Sequence, residues 1–203
     1  MSQEQKLTKT ELRSQQVKLA QLQKYLPTLQ LKKMMLQAEI SQTQAELEDL
    51  QRQFFTKEQR ILQYASLFSE RNIGSFFSSL AIEDLKIKHE NIAGIDIPLL
   101  EQVVFADATY SLFDTPVWYE SALEGMQGLI STWQNSKVVE EKKRALEKEL
   151  REVSIRVNLF EKIMIPRAVE HIKRIKIFLG DQQLAAVSQA KVAKKKILLQ
   201  GGS

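Results

Sequence analysis

The 203-residue sequence contains no cysteine, two histidines, seven glycines and four prolines. Without cysteine there can be no disulfide, no thiol nucleophile and no thiolate metal site. The histidines, His89 and His171, are too far apart in sequence to suggest a metal-ligand pair. The shortage of glycine and proline constrains the architecture further. These eleven residues are about one in eighteen, against roughly one in eight in an average chain. Between Leu12 and Ile73 the only breaker is Pro27, and between Leu129 and Leu179 the only one is Pro166. Repeated short strands or βα units would need turn residues far more often, so long uninterrupted elements are required. No apolar run reaches 18 residues, and Met1–Glu4 carries no charged segment leading into an apolar one. Neither a membrane span nor a secretory signal is therefore expected.

The residues present are those of a helical protein. Apolar residues make up 43% and charged ones 27%, with Leu, Glu, Lys, Gln and Ala dominating the long segments. The net charge of +4 hides a partition. Residues 1–75 hold 11 basic and 8 acidic side chains, residues 76–128 hold 2 and 9, and residues 129–203 hold 16 and 8. Two basic arms thus flank an acidic middle. The densest basic cluster is Lys191, Lys194, Lys195 and Lys196, with no acid after Asp181. It suits an acidic protein surface, a nucleic acid or an anionic membrane, and equally a solvated helix end whose dipole favours cations.

The first arm opens on a capping signal: Thr8 at the cap, Glu11 three residues later, and Leu7 and Leu12 at staple positions. From there a 3,4 spacing runs without a skip through Leu12, Gln15, Leu19, Leu22, Leu26, Leu29, Lys33, Leu36, Ile40, Thr43, Leu47, Leu50, Phe54, Lys57, Ile61, Tyr64 and Phe68. Thirteen of these seventeen positions are apolar. A seam this narrow is that of a coiled coil, and a lone helix roughly 85 Å long would leave it wet, so a partner helix is needed. Pro27 lies inside the pattern without changing its phase, which predicts a continuous helix kinked near Pro27.

The second arm has Thr115 and Pro116 as a cap and first-turn pair. Its seam reads Leu146, Leu150, Val153, Val157, Phe160, Met164, then Ala168, Ile172, Ile175 and Leu179. The steps 160, 164, 168, 172 are three successive fours, a stutter that locally unwinds a left-handed supercoil, and Pro166 lies within it. A straightened or kinked coil is expected there. Gly180 is a weaker interruption and a second place where the helix can break.

Between the arms, Gly74, Ser75, Ser78 and Ser79 end the first helix. Leu85, Ile87 and His89 then alternate with Lys86 and Lys88, and after a turn around Glu90 to Ala93, Ile95, Ile97 and Leu99 alternate with Asp96 and Pro98. This predicts a β-hairpin over about 85–99 with Pro98 at an edge. Phe76, Phe77, Phe105, Tyr110, Phe113, Trp118 and Tyr119 gather nearby, as a small core under the hairpin. The domain plan is therefore an N-terminal long helix over 1–73, a middle head over 74–114 and a C-terminal long helix over 115–203. The fold class is all-α dominated: a long antiparallel two-helix left-handed coiled coil with a small hairpin-bearing head.

Convergent catalytic groups are not evident. Gly125-Met126-Gln127-Gly128 is too short for a phosphate loop and lacks its lysine, and acidic pairs such as Glu48-Asp49 and Glu140-Glu141 fall on exposed helix faces. No zinc module or RNA-stacking motif is present. No catalytic, metal or cofactor residue is assigned, and no cofactor is expected.

The segment Arg156-Val157-Asn158-Leu159-Phe160-Glu161-Lys162-Ile163-Met164-Ile165-Pro166-Arg167 is similar to an Arg-Val-Asn-Ala-Leu-Glu, then Ile-Pro, run in the C-terminal helix of one family. Thr8-Lys9-Thr10-Glu11-Leu12, Leu31-Lys32-Lys33-Met34, Ile95-Asp96-Ile97-Pro98 and Thr115-Pro116 match it elsewhere. Over nearly its whole length the chain resembles the D subunits of V-type (A/V-type) rotary ATPases and ATP synthases, which form the central rotor stalk. Pro27 and Gly180 depart from the helix formers expected at their positions.

The resemblance implies a non-catalytic axle that transmits torque between a catalytic hexamer of A and B subunits and a membrane ring moving protons or sodium. It implies an F subunit on the coiled coil, the C (d-type) subunit at the ring socket, a peripheral place on the cytoplasmic side of the membrane, and neither nucleic acid binding nor membrane insertion. Lys191, Lys194, Lys195 and Lys196 would then sit at the tip inside the hexamer. Leu85, Ile87, Ile95 and Ile97 would give the hairpin a contact surface for docking the adjacent rotor subunit or regulating hydrolysis. Three other readings share some of these features. A free-standing coiled-coil tether or adaptor explains the heptads equally well. The γ-type axle of F-type synthases carries a larger α/β middle domain than some 40 residues can form. A basic helical nucleic-acid binder would require strongly salt-dependent affinity.

Overall fold

A computed structural model describes residues 7–66, 74–107 and 115–200. Phe68, Tyr110 and Phe113, named above, lie outside the described residues. In chain order the elements are α1 (Lys9–Leu62), α2 (Gly74–Ser78), β1 (Ile82–Ile92), β2 (Ile95–Phe105), α3 (Tyr119–Leu159), a π-helical turn (Phe160–Met164) and α4 (Ile165–Gln200). Long helices at both ends of the chain and a short antiparallel hairpin between them make the protein dominantly α-helical, as the sequence predicts. Two compact units are formed, one joining the chain up to Leu31 with Val153 onward, the other comprising Lys32–Glu152.

The start of α1 is fixed by its cap. The Glu11 amide donates to Thr8 Oγ1 at 3.2 Å, and the Leu12 amide donates to the Thr8 carbonyl at 3.0 Å. The Glu11 carboxylate accepts from Gln15 Nε2 at 2.8 Å. The helix passes unbroken through Pro27, and in the turn where proline supplies no amide, Thr28 Oγ1 donates to the Tyr25 carbonyl at 2.7 Å.

The heptad positions are the inward positions. From Leu12 to Tyr64, every one is buried or half-buried. In the unit Lys32–Glu152, α1 and α3 run antiparallel. Leu47 and Leu50 pack with Val139, and Lys32, Glu39 and Lys57 on α1 bond to Glu149, Lys142 and Thr132 in descending order on α3. In the other unit, Val153, Val157, Ala168, Ile172 and Ile175 are buried and Phe160, Met164 and Leu179 half-buried, so the second seam also stays on one side.

The stutter takes a definite form. Ile165 N–H donates to the Phe160 carbonyl, five residues back, and Phe160–Met164 is a π-helical turn immediately before Pro166. The twelve residues from Phe160 to Ile172 exceed three α-turns by about one residue, which one wider turn takes up. The same turn suits Pro166, which has no amide to donate and whose ring crowds the carbonyl four residues back. At Gly180, where the helix could have broken, it does not, and α4 continues to Gln200. A lone glycine costs a helix only about 1 kcal/mol, too little to end one among good helix formers.

The middle differs more from expectation. Gly74 begins the five-residue α2 rather than closing α1, and its Phe76 is the centre of a core with Leu80, Tyr119, Ala122 and Leu123, edge-on to Tyr119 at 5.3 Å. Phe77 is exposed and Phe105 only half-buried. Helix α3 begins at Tyr119, whose amide donates to the Pro116 carbonyl at 3.0 Å, so Thr115 and Pro116 form the turn before the helix and not its first residues.

The strands are longer than expected, and the turn lies further on. Ala93 and Gly94 are its two central residues, both with positive φ (53° and 81°), flanked by the pair Ile92–Ile95. This is the backbone of a two-residue I′ turn. Asn91 braces it, its Oδ1 accepting from the Gly94 amide at 3.1 Å and its Nδ2 donating to Asp96 at 2.7 Å. The hairpin does not stand clear as a head but folds back along the helices. At its base Ser79 accepts from Gln127 on α3, and at its tip a Cβ on Gly94 would lie 3.9 Å from Lys32 Nζ.

Candidate functional site

Among the described residues the two histidines lie far apart in sequence, on different elements. Among the described residues no three His, Cys, Asp or Glu could jointly hold a metal ion, and no helix is long and apolar enough to cross a membrane. His89 is exposed on β1 and His171 is half-buried on α4, in different units. The candidate sites are therefore faces, and each follows from which residues the pairing uses and which it leaves outside.

The seam residues are used by the pairing. Leu22, Leu36, Leu47, Leu50, Leu146, Val153 and Val157 are buried, while Leu19, Leu26, Leu29, Ile40, Phe54, Leu150, Phe160 and Met164 are half-buried. Their work is internal cohesion. Sequence reasoning missed Lys142, which is buried at the same interface with its ammonium 3.2 Å from Glu39 and 3.6 Å from Glu46. Stepping the seam back four residues from Leu146 would have found it.

The hairpin residues do not share a face. Leu85 pairs with Val103 and Ile87 with Leu100, whereas Ile95 pairs with Ile92 and Ile97 with Glu90. Directly opposed residues project to the same side of a sheet, so Leu85 and Ile87 point one way and Ile95 and Ile97 the other. Ile97 is fully buried within its unit, Leu85 and Ile95 half-buried, and Ile87 40% exposed. Of the four, Ile87 is the most open to a partner. Two register shifts, at Ile82/Asp84 and Lys86/Ile87, let both sides of the ribbon bury apolar residues at different points along its length.

The lysines near the C-terminal end of α4 are open to solvent. Every side chain from Asp181 to Ile197 is exposed, including Lys191, Lys194, Lys195 and Lys196. At 100° per residue, Lys191, Lys194 and Lys195 fall within about 100° of one another around α4, while Lys196 lies further round. They form a cationic helix face with exposed Leu184 and Val187 on the same side.

Residues 11–195 match the family model that describes the D subunit of ATP synthase. The chain belongs to that family. Among curated proteins, the D subunit of the V-type ATP synthase of Chlamydia caviae is 40% identical over 198 residues, covering 97% of this chain and 95% of that protein. The D subunit of Chlamydia trachomatis serovar L2 is 41% identical over 201 residues, covering 97% and 98%. That of Chlamydia pneumoniae is 40% identical over 200 residues, covering 98% and 96%. Such coverage decides what the heptads alone left open, because an unrelated tether would share a periodicity but not a sequence from end to end. Within the D-subunit family the long paired helices and the central hairpin are thus the parts to which a role must be assigned.

Proposed function

We propose that the chain is the non-catalytic axle of a rotary V/A-type ATP synthase or ATPase. It carries torque between a hexamer of A and B subunits and the membrane ring that moves protons or sodium, on the cytoplasmic side as a peripheral part of the complex. The observation that supports this most directly is the antiparallel helix pair, whose described heptad positions are buried or half-buried while its outer faces carry the charge. A packed two-helix seam resists bending and twisting, which an axle needs. Its two helices also present a different face in each direction, so a turning shaft offers each catalytic interface a different contact in turn. Binding energy then shifts each interface between conformations. The chain itself binds no nucleotide on this reading.

The partners proposed are those that the family resemblance implies. The lysine face of α4 bears on an acidic lining of the A/B hexamer, the F subunit lies on the coiled coil, and the core around Phe76 and Tyr119 seats towards the C (d-type) subunit. The hairpin, through Ile87 and its neighbours, docks the adjacent rotor subunit or adjusts hydrolysis. The test is reconstitution with the A, B and F subunits and the membrane ring. The expected result is co-purification in fixed stoichiometry and ion transport that requires this chain while ATP hydrolysis by the hexamer does not. Ion transport at full rate in its absence would overturn the reading.

A further inference from the structure

A heptad seam has a weakness that its apolar residues cannot cure. Sliding one helix past the other by seven residues places apolar side chains opposite apolar side chains again. Between Lys32 and Tyr64 most seam positions are apolar, so hydrophobic burial distinguishes neighbouring registers poorly. Something other than the leucines must select one.

We propose that Lys142, held between Glu39 and Glu46, is the register lock of the α1–α3 pair. The two carboxylates are one heptad apart on α1, and the ammonium of Lys142 reaches both, at 3.2 and 3.6 Å. Lys142 is only 6% exposed, so it cannot exchange this pair for water without unpacking the helices. Thr43, between the glutamates on α1 and fully buried, donates its hydroxyl to the Glu39 carbonyl at 2.8 Å, so its own polar group is satisfied within α1. A second ion pair, Lys32 Nζ to Glu149 Oε1 at 2.6 Å, lies one heptad along both helices. A third polar contact, Lys57 Nζ to Thr132 Oγ1 at 2.7 Å and the Gly128 carbonyl at 3.1 Å, lies on the other side.

This set discriminates against both one-heptad slips. Sliding α3 one way puts Lys142 between Lys32 and Glu39, with like charge replacing a carboxylate. Sliding it the other way puts Lys142 between Glu46 and the neutral Gln53, brings Glu149 against Glu39, and sets Thr132 against Tyr64. A buried ion pair adds little net stability over an apolar substitute, but one member left without its partner is strongly unfavourable. The lock therefore acts by penalising wrong registers more than by stabilising the right one. The inference does not depend on the rotor reading.

The absence of cysteine makes a direct test clean. Val139→Cys is combined in turn with Leu47→Cys, which reports the observed register, and with Phe54→Cys and Ile40→Cys, which report slips of one heptad each way. With Lys142 present, oxidation of the monomer closes only the Leu47 pair. With Lys142→Met, whose side chain has similar length and no charge, the Phe54 or Ile40 pair is expected to rise to at least a tenth of the Leu47 yield with helix content retained. Exclusive closure of the Leu47 pair in folded Lys142→Met would overturn the proposal. If Lys142→Met does not fold, the swap Lys142→Glu with Glu39→Lys and Glu46→Lys decides. Recovery of folding with closure at the Leu47 pair alone supports the lock, and failure to recover overturns it.

Discussion

Two residue choices carry conformational cost that nothing around them requires. Gly180 lies inside α4, and a Cβ built on it would meet no atom within 4 Å. Gly180→Ala therefore gains helix propensity without steric conflict, worth about 1 kcal/mol. Thermal denaturation should show a rise of a few degrees, and an unchanged or lower midpoint would mean that the glycine serves a purpose at that position. Ala93 is the other: its φ of 53° is left-handed, which costs a side-chain-bearing residue about 1–2 kcal/mol. Asparagine tolerates this region better and precedes glycine in the preferred I′ turn. Ala93→Asn should slow amide exchange across β1 and β2, consistent with a gain of about 0.5–1 kcal/mol. Gly125 and Gly128 are different again. They face Ile61 and Lys57 on α1, and the bare Gly128 backbone accepts the Lys57 ammonium.

At the scale of elements, what could be read from the sequence followed period and phase. The α1 seam is a local property, one spacing repeated in one element, and each of its described positions is inward. The stutter near Pro166 was likewise visible as three steps of four, although the spacing alone left open whether the coil unwinds or the helix changes its own winding. It does the latter. Proline and the extra residue both favour the π turn, and Pro166→Ala separates them. With the seam intact, the variant should keep the bond from the Ile165 amide to the Phe160 carbonyl, observable as an unchanged π turn in a crystal structure or by amide exchange. Reversion to uninterrupted α-helix would identify proline as the cause. The hairpin was harder to read because its alternation is set across two strands. The two-residue turn pairs Ile92 with Ile95, so from Ile87 to the turn odd-numbered residues of β1 stand opposite even-numbered ones of β2, and Leu85 and Ile87 end on the other side from Ile95 and Ile97. The placement of Gly94 beside Lys32 joins residues more than sixty apart, which no local pattern encodes.

At the scale of the whole molecule, the charge partition falls on particular elements. The acidic middle coincides with the hairpin and the start of α3, while α4 ends in an exposed basic face with no acid after Asp181. Exposed lysines add almost nothing to the stability of their own helix, so replacing them should leave the fold unaffected and act only on a partner. Changing Lys191, Lys194, Lys195 and Lys196 together to Gln is therefore expected to leave the thermal midpoint within about a degree. If the proposed axle role holds, the same change should weaken association with an A/B hexamer at least tenfold at low salt, and the difference from the unmodified chain should shrink as ionic strength rises and screens both. Binding measured across a salt series separates this from an apolar contact through Leu184 and Val187, which would be insensitive to salt. Unchanged affinity at every salt concentration, with hydrolysis still coupled to transport, would remove the lysine face from the bearing and leave the shape of the paired helices as its basis.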